Sequence, residues 1–266
     1  MSSLLAFDLE THLIQPGLLA PPIVVGSFAS ERARGLLTPK ELRVEAFGWL
    51  TQGQVLVGAN IAYDFGCLLA DDPSLLPLVW KAYEEGRVFD VLIAGTLDAI
   101  YDGRLREGEL FRKDGVKIQS GRYSLETVVM DYLGRSDAKR NDRWRESYAL
   151  LADTPIDQWP EDARQYPIDD AVNTLLVAEK QLKVCQNLHD LPQQAHAALC
   201  YHLGSMWGLR THGPSVEALK QSIVEHLAQL RAIARNNGFI KTGGTKKAPK
   251  DTKDTKAIRE AVFKAY

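Results

Sequence analysis

Two acidic residues at the end of a predicted strand are the first candidates for chemistry. Asp8 and Glu10 follow the apolar run 4–7 and are separated by Leu9. Because successive side chains of a strand point to opposite faces, both carboxylates should lie on one face and Leu9 on the other. Two acids held in this way repel each other unless a cation lies between them, so the pair predicts a divalent metal site. Taken alone, Asp-x-Glu is more typical of an exposed acidic strand end.

A second polar group follows another predicted strand. The run 55–57 has the pattern of a buried strand, and Asn60, Tyr63 and Asp64 come between it and a predicted helix. Asp64 is a candidate third carboxylate, and the Asn60 amide is a candidate hydrogen-bonding group for a substrate. The structural alternative is a turn-favouring Asn followed by a helix-capping Asp.

The third group consists of a tyrosine and an aspartate. Tyr166 and Asp170 are one helical turn apart, so both can project toward a shared site. Pro167 lies between them and must either kink the helix or mark its first turn. Asp169 should point elsewhere. Each of the three groups is weak alone, but all three lie at a strand end or a helix start, and together they form a much stronger pattern.

Strand and helix patterns predict the framework that positions these groups. Runs 4–7 and 22–28 are predicted to be paired strands, and 55–57 and 88–90 to be further strands. Helices are predicted by apolar periodicity and caps at 38–50, with a Thr-Pro-x-Glu capping box, from 63 onward, and at 91–100, 124–133 and 170–182. Segment 137–159 has no clear period and is predicted as mixed helix and loop. The alternation of strands and helices predicts an α/β fold with a mixed sheet.

The last part of the chain has a different character. Strand patterns disappear after about residue 191, and helices are predicted at 195–209 and 215–234. Segment 241–256 is rich in lysine and poor in apolar residues, so we expect it to be mobile, with room for a short helix at 255–265. We therefore predict an α/β domain at 1–188 and a small helical extension at 189–266.

Composition excludes several classes of protein. Of the 266 residues, 45% are hydrophobic and 25% charged, as in a globular protein. No apolar stretch is long enough for a membrane span, and the start of the chain carries acids where a signal peptide is apolar, so a cytoplasmic location is expected. Cys67, Cys185 and Cys200 have no metal-ligand spacing and are predicted to be reduced packing residues. With a net charge of -2, any nucleic-acid binding needs a local site.

The three groups resemble the exonuclease motifs of a known family. FDLET, NIAYDF and YPIDD are similar to the three motifs of DEDDy-type 3′-to-5′ exonucleases. The stretches YSLETVVMDYLG, RNDRWRESYALL and QWPEDARQYPIDDAVNTLLVAEK resemble the exonuclease domains of phage-encoded A-family DNA polymerases, so the likeness covers most of residues 1–188. The resemblance implies an RNase H-like fold in its DnaQ-like exonuclease form.

The resemblance also implies a mechanism and a set of site residues. Two Mg²⁺ or Mn²⁺ ions would be held by Asp8, Glu10, Asp64 and Asp170, and Tyr166 would orient the attacking water. Thr11, Asn60 and Tyr63 match positions that border the terminal nucleotide of the substrate. The expected reaction releases nucleoside 5′-monophosphates from a single-stranded or frayed DNA 3′ end.

Several alternatives stay open at the level of sequence. The motifs do not report sugar preference, so a 3′-to-5′ exoribonuclease is a second hypothesis, and a catalytically silent domain that binds nucleic acid or braces a partner is a third. Residues 189–266 resemble the start of a polymerase thumb region, whereas the palm and nucleotide-binding motifs have no counterpart in this sequence. A polymerase module is therefore expected in trans or in a longer chain, unless the protein is a stand-alone nuclease. The lysine-rich segment either contacts phosphates or is a solvated linker.

Overall fold

The computed structural model describes residues 3–135, 144, 146–208, 211–245 and 248–265, without the side chains of residues 242–250. The chain divides into two compact units, Met1–Gly208 and Leu209–Tyr266. Part of the segment predicted as mixed helix and loop, residues 137–143 and 145, lies outside the described residues. The described part of that segment contains two short 3₁₀ helices, Tyr148–Leu151 and Ile156–Gln158.

A five-stranded mixed sheet is the centre of the first unit. Its strands are β1 (Leu4–Thr11), β2 (Ile23–Ser30), β3 (Arg34–Leu37), β4 (Val55–Gly58) and β5 (Val88–Asp90). The spatial order is β3-β2-β1-β4-β5, with β2 antiparallel to both neighbours and β1, β4 and β5 parallel to one another. This order and these directions are those of an RNase H-like fold. The predicted mixed sheet and the pairing of the first two strands are confirmed.

Helices cover both faces of this sheet. They are α1 (Pro39–Thr51), α2 (Ile61–Asp71), α3 (Leu76–Glu84), α4 (Val91–Tyr101), α5 (Leu125–Leu133), α6 (Glu161–Val184) and α7 (Leu191–Trp207), and a hairpin of β6 (Leu105–Arg106) and β7 (Glu109–Leu110) follows α4. The predicted capping box is present, since the Thr38 side chain accepts from the Glu41 N–H and the Glu41 side chain accepts from the Thr38 N–H. α5 begins after Ser124 and ends at Gly134, as predicted.

Alternation along β1 divides the core between the two faces. Leu5, Phe7 and Leu9 belong to a core that also contains side chains of α1, α2, α3 and α7. Ala6 belongs to a second core formed with α4, α5 and α6. Because Asp8 and Glu10 continue the alternation from Ala6, they lie on the face that α6 covers. The predicted placement of both acids on one face, with Leu9 on the other, is confirmed.

α6 begins earlier than its predicted start near residue 170. It starts at Glu161, so Pro167 lies inside the helix and not in its first turn. The apolar pattern that begins at Ala171 predicted the later start. Proline and the residue before it also disfavour the helical conformation, so they gave no reason to place the start earlier. Packing against β1, β2, β3 and β4 accompanies the continuous helix.

α7 lies within the first unit. Ala195, Leu199 and Leu203 are buried in the same core as Phe7 and Phe65. Gly66 of α2 allows this approach, because a Cβ at that position would lie 2.5 Å from ring atoms of His202 on α7 and 2.7 Å from the Met206 sulfur. The compact unit thus extends to Gly208, and the functional boundary predicted at residue 188 stays a prediction.

The described residues of the second unit form two helices and a hairpin. α8 (Gly213–Asn236) precedes an antiparallel pair of strands, β8 (Ile240–Thr245) and β9 (Ala248–Lys253), and α9 (Thr255–Ala265) follows them. The prediction that strands end after residue 191 is wrong here, because backbone pairing forms a ladder whose sequence has few of the apolar residues that reveal strands. The short helix at 255–265 is confirmed. Among the described residues, no helix combines the length and apolar character needed to cross a bilayer.

Candidate active site

Three of the four predicted ligand carboxylates meet in one cluster. Asp8 and Glu10 extend from β1, and Asp170 extends from α6, which packs across β1. Their carboxylate oxygens lie within 4.8 Å of one another. Residues 160 positions apart in sequence therefore share a site because α6 lies on the face to which β1 directs its acids.

The electrostatics of the cluster reflect its concentration of negative charge. Burial and the neighbouring Asp170 carboxylate raise the pKa of Asp8 to about 8. A carboxyl group shifted this far is protonated at neutral pH unless a positive charge compensates its neighbours. Oxygen donors at this separation fit a hard divalent cation such as Mg²⁺ or Mn²⁺. The donor chemistry therefore fits the predicted metal.

Asp64, the fourth predicted ligand, lies against β1 but outside this group of three. It is 3% exposed at the start of α2, and its Oδ1 accepts a hydrogen bond of 3.1 Å from the N–H of Leu9, between the two acids of β1. Burial and the charge of Asp8 raise its pKa, although the Leu9 N–H acts in the opposite direction. Asp64 is thus close enough to Asp8 for their charges to interact.

The turn that presents Asn60 has an unusual backbone. Asn60 has φ 66° and ψ 43°, in the left-handed region, which Asn tolerates better than most residues. Its side chain is exposed and does not cap α2. Instead the buried carboxylate of Asp90 accepts from the N–H of Ile61, and also caps α4 by accepting from the N–H groups of Leu92 and Ile93. Asn60 thus has the turn conformation of the structural alternative, whereas Asp64 lies in the first turn of α2 and not at its N-cap position.

Two predicted substrate contacts are brought together across β1 and α2. The hydroxyl groups of Thr11 and Tyr63 are 2.8 Å apart. Thr11 Oγ1 also donates to the carbonyl oxygen of His12. A register shift after Glu10 pairs Thr11 with Ile23, and bulges of this kind redirect side chains at the ends of strands. The Tyr63 ring packs edge-to-face against His202 of α7, with ring centroids 5.8 Å apart.

Tyr166 lies beside a third core, formed at the start of α6. This core contains Trp144, Tyr148, Leu151 and Trp159, and Tyr166 packs against it with partial exposure. The ring centroids of Tyr148 and Tyr166 are 6.5 Å apart. The Tyr148 hydroxyl donates to the carbonyl of Ala163. Sequence patterns gave no role to Tyr148 or Asp90, because neither belongs to a motif whose spacing indicates chemistry.

Asp169 and Asp170 are directed differently, as predicted. The Asp169 Oδ1 accepts from the Gln165 side chain at 2.7 Å, one turn earlier on the helix, whereas Asp170 belongs to the carboxylate cluster.

Comparisons with known proteins find similarity among solved structures. No protein-family model matches the sequence, and no curated protein matches it. Among solved structures, the chain is similar to the EXO domain of Nibbler from Aedes aegypti, with a TM-score of 0.44 and 17% sequence identity over 74% of this chain and 86% of that domain. At this level of similarity, the functional proposals depend on the residues of this chain alone.

Proposed function

We propose that the protein is a metal-dependent 3′-to-5′ exonuclease. The observation that carries this proposal is the cluster of Asp8, Glu10 and Asp170, whose carboxylate oxygens lie within 4.8 Å of one another. Asp64 completes the proposed set of four ligands for two divalent cations. Two further observations support the proposal: the hydrogen bond between Asp64 and the N–H of Leu9, and the raised pKa of Asp8. Both indicate that carboxylates are crowded at one end of β1.

Each side chain has a distinct part in the proposed reaction. Bound divalent cations would neutralise charge on the scissile phosphate and make a nearby water more acidic. Tyr166, one helical turn before Asp170, orients that water by hydrogen bonding, because a free phenol with a pKa of about 10 is a poor base at neutral pH. The leaving group is the 3′ oxygen of the penultimate nucleotide, so the product is a nucleoside 5′-monophosphate.

The proposed substrate is the single-stranded 3′ end of DNA. Thr11 and Tyr63 present a linked pair of hydroxyl groups near the end of β1, and Asn60 presents an exposed amide at the end of β4. These groups can hydrogen-bond to the sugar and phosphate of a terminal nucleotide. The A-family polymerase origin and a polymerase module in trans belong to the same proposal and rest on the motif resemblance.

The test uses the full chain with Mn²⁺ and a single-stranded oligonucleotide labelled at its 5′ end. We expect a ladder of products shortened from the 3′ end, and monophosphates as the released species. Asp8→Asn and Glu10→Gln should abolish the ladder. Glu161→Gln is the matched control, because Glu161 is an exposed acid in the first turn of α6.

Two results would count against the proposal. If Asp8→Asn cleaves as fast as the wild type, the carboxylate cluster takes no part in the reaction. Absence of Mn²⁺ binding to the wild type in titration calorimetry would favour a silent domain. An RNA oligonucleotide of the same sequence, degraded while DNA is spared, would change the substrate to RNA and leave the chemistry intact.

A further inference from the structure

A buried tyrosine compensates for a proline inside the helix that carries the candidate site. Tyr148 is 1% exposed, and its hydroxyl donates to the carbonyl oxygen of Ala163, 2.9 Å away. In a regular helix that carbonyl accepts from the N–H four residues later. The residue four positions later is Pro167, which has no N–H and whose ring crowds the same carbonyl. The Tyr148 hydroxyl therefore takes the place of the missing donor.

The compensated bond lies in the part of α6 that holds the candidate site residues. Tyr166 directly precedes Pro167, and Asp170 follows three residues after it. A residue before proline normally avoids the helical conformation, so the surroundings must hold Tyr166 in the helix. Ala163 is 0% exposed, which leaves its carbonyl without access to water as a substitute partner.

Tyr148 also faces the carboxylate cluster. Its ring lies against that of Tyr166, with centroids 6.5 Å apart. Burial, together with the negative charges of Glu10, Asp170 and Asp8 and the neighbouring Tyr166, raises the pKa of Tyr148. The hydroxyl therefore stays protonated and keeps its role as a donor at neutral pH.

We propose that Tyr148 is a positioning residue for the candidate active site. By donating to Ala163 in place of Pro167, its hydroxyl fixes the first turns of α6 and so places Tyr166 and Asp170 opposite Asp8 and Glu10. Tyr148 then acts on the reaction through these residues and not by touching substrate or metal. The expected effect of Tyr148 on cleavage rests on the proposed nuclease function. Its expected effect on the stability of α6 does not depend on that function.

The experiment is a double-mutant cycle of Tyr148→Phe and Pro167→Ala in the full chain. Tyr148→Phe removes the hydroxyl alone, and Pro167→Ala restores the N–H that a regular helix provides. With Mn²⁺ and a 5′-labelled oligonucleotide, we expect Tyr148→Phe to lower kcat about tenfold with KM nearly unchanged, because the reacting groups are misplaced while substrate contacts remain. The double variant should recover the kcat of Pro167→Ala. Tyr132→Phe is the control, since that buried tyrosine donates to Asp98 in another core, and it should lose stability without losing kcat.

Two outcomes would overturn the inference. One is a Tyr148→Phe protein with the kcat and Mn²⁺ affinity of the wild type. The other is an equal loss from Tyr148→Phe with and without Pro167. Melting temperatures of the four chains test the link between Tyr148 and Pro167 even if the wild type cleaves nothing, so failure of the nuclease function is distinguishable. If Tyr148→Phe does not fold, the double variant decides. A folded double variant supports the inference. An unfolded double variant, when Pro167→Ala alone is folded, overturns it.

Discussion

Asp64 accepts a hydrogen bond from the backbone N–H of Leu9, at 3.1 Å, and so joins the start of α2 to the strand residue between Asp8 and Glu10. The parallel pairing of β1 with β4 ends at Ala6 and Val57. Beyond that pair, the Asp64 carboxylate serves as the acceptor that a neighbouring strand would otherwise supply. The same carboxylate is the proposed fourth metal ligand, so one side chain has both a structural and a chemical part.

Two substitutions at Asp64 should separate these parts. Asp64→Asn keeps an oxygen acceptor for the N–H of Leu9 and removes a carboxyl group whose pKa is raised by burial. The metal-free variant should therefore be at least as stable as the wild type, while cleavage is lost. Asp64→Ala removes the acceptor as well and leaves a buried N–H unsatisfied, which costs about 1–3 kcal/mol. Urea unfolding in EDTA measures the difference. Equal stability of the two variants would mean that the bond to Leu9 contributes nothing.

The pKa of Asp8 predicts how stability depends on pH. Because its folded value of about 8 lies above its unfolded value, this carboxyl contributes stability that is complete below the unfolded pKa and is lost as pH rises through about 8. In EDTA, the advantage of Asp8→Asn over the wild type should therefore grow between pH 4 and pH 8. Each 1 kcal/mol of this advantage should appear as a gain in Tm of about 2–4 °C in a domain of this size.

Addition of Mn²⁺ at pH 8 should reverse this order, since a cation compensates the charges that destabilise the wild type. Asp157→Asn, which changes an exposed acid, is the control and should follow the wild type with and without the metal. A Tm for Asp8→Asn that runs parallel to the wild type at all pH values would contradict the prediction.

Tyr166→Phe should slow cleavage without abolishing it. Loss of the hydroxyl removes a group that orients water and leaves the carboxylates in place, so we expect kcat to fall about 10- to 100-fold with Mn²⁺ affinity unchanged. Single-turnover cleavage and calorimetry measure the two quantities. The loss should be smaller than that of Asp170→Asn, and a larger loss would assign Tyr166 a direct chemical role.

Two glycine substitutions should have opposite effects on stability. At Gly66, an added Cβ would meet the His202 ring at 2.5 Å, and overpacking of this kind costs about 1–3 kcal/mol. At Gly204, in the last turn of α7, an added Cβ has no neighbour within 4 Å, so Gly204→Ala should stabilise the helix by up to about 1 kcal/mol. Thermal unfolding of both variants tests the packing of α7 on α2. Equal behaviour of the pair would show that α7 does not pack closely there.

The sequence predicted the local arrangement of the site better than its assembly. The common face of Asp8 and Glu10 follows from strand alternation, and the common face of Tyr166 and Asp170 from helical spacing. The meeting of Asp170 with the β1 acids requires α6 to cross the sheet, which depends on packing between distant parts of the chain. The resemblance to exonuclease motifs suggested this convergence, but residue patterns alone did not.

Other features depend on contacts that no local pattern contains. A proline inside a helix indicates that the carbonyl four residues earlier needs another donor, but it does not indicate Tyr148 as that donor. Asp90 caps two helices at once because β4 and β5 end side by side, a relationship set by the sheet. The β8–β9 hairpin was missed because its strands include two glycines and a proline and have few of the apolar and β-branched residues that predict strands.

The burial of Ala195, Leu199 and Leu203 has a practical consequence for dissecting the protein. A piece ending at residue 188 would lose the helix that closes the core beneath Phe7 and Phe65. The apolar side chains that α7 covers would then be exposed, and such a surface promotes self-association. Insolubility of this piece would therefore say nothing about catalysis. A truncated chain intended for nuclease assays should keep every residue through Gly208.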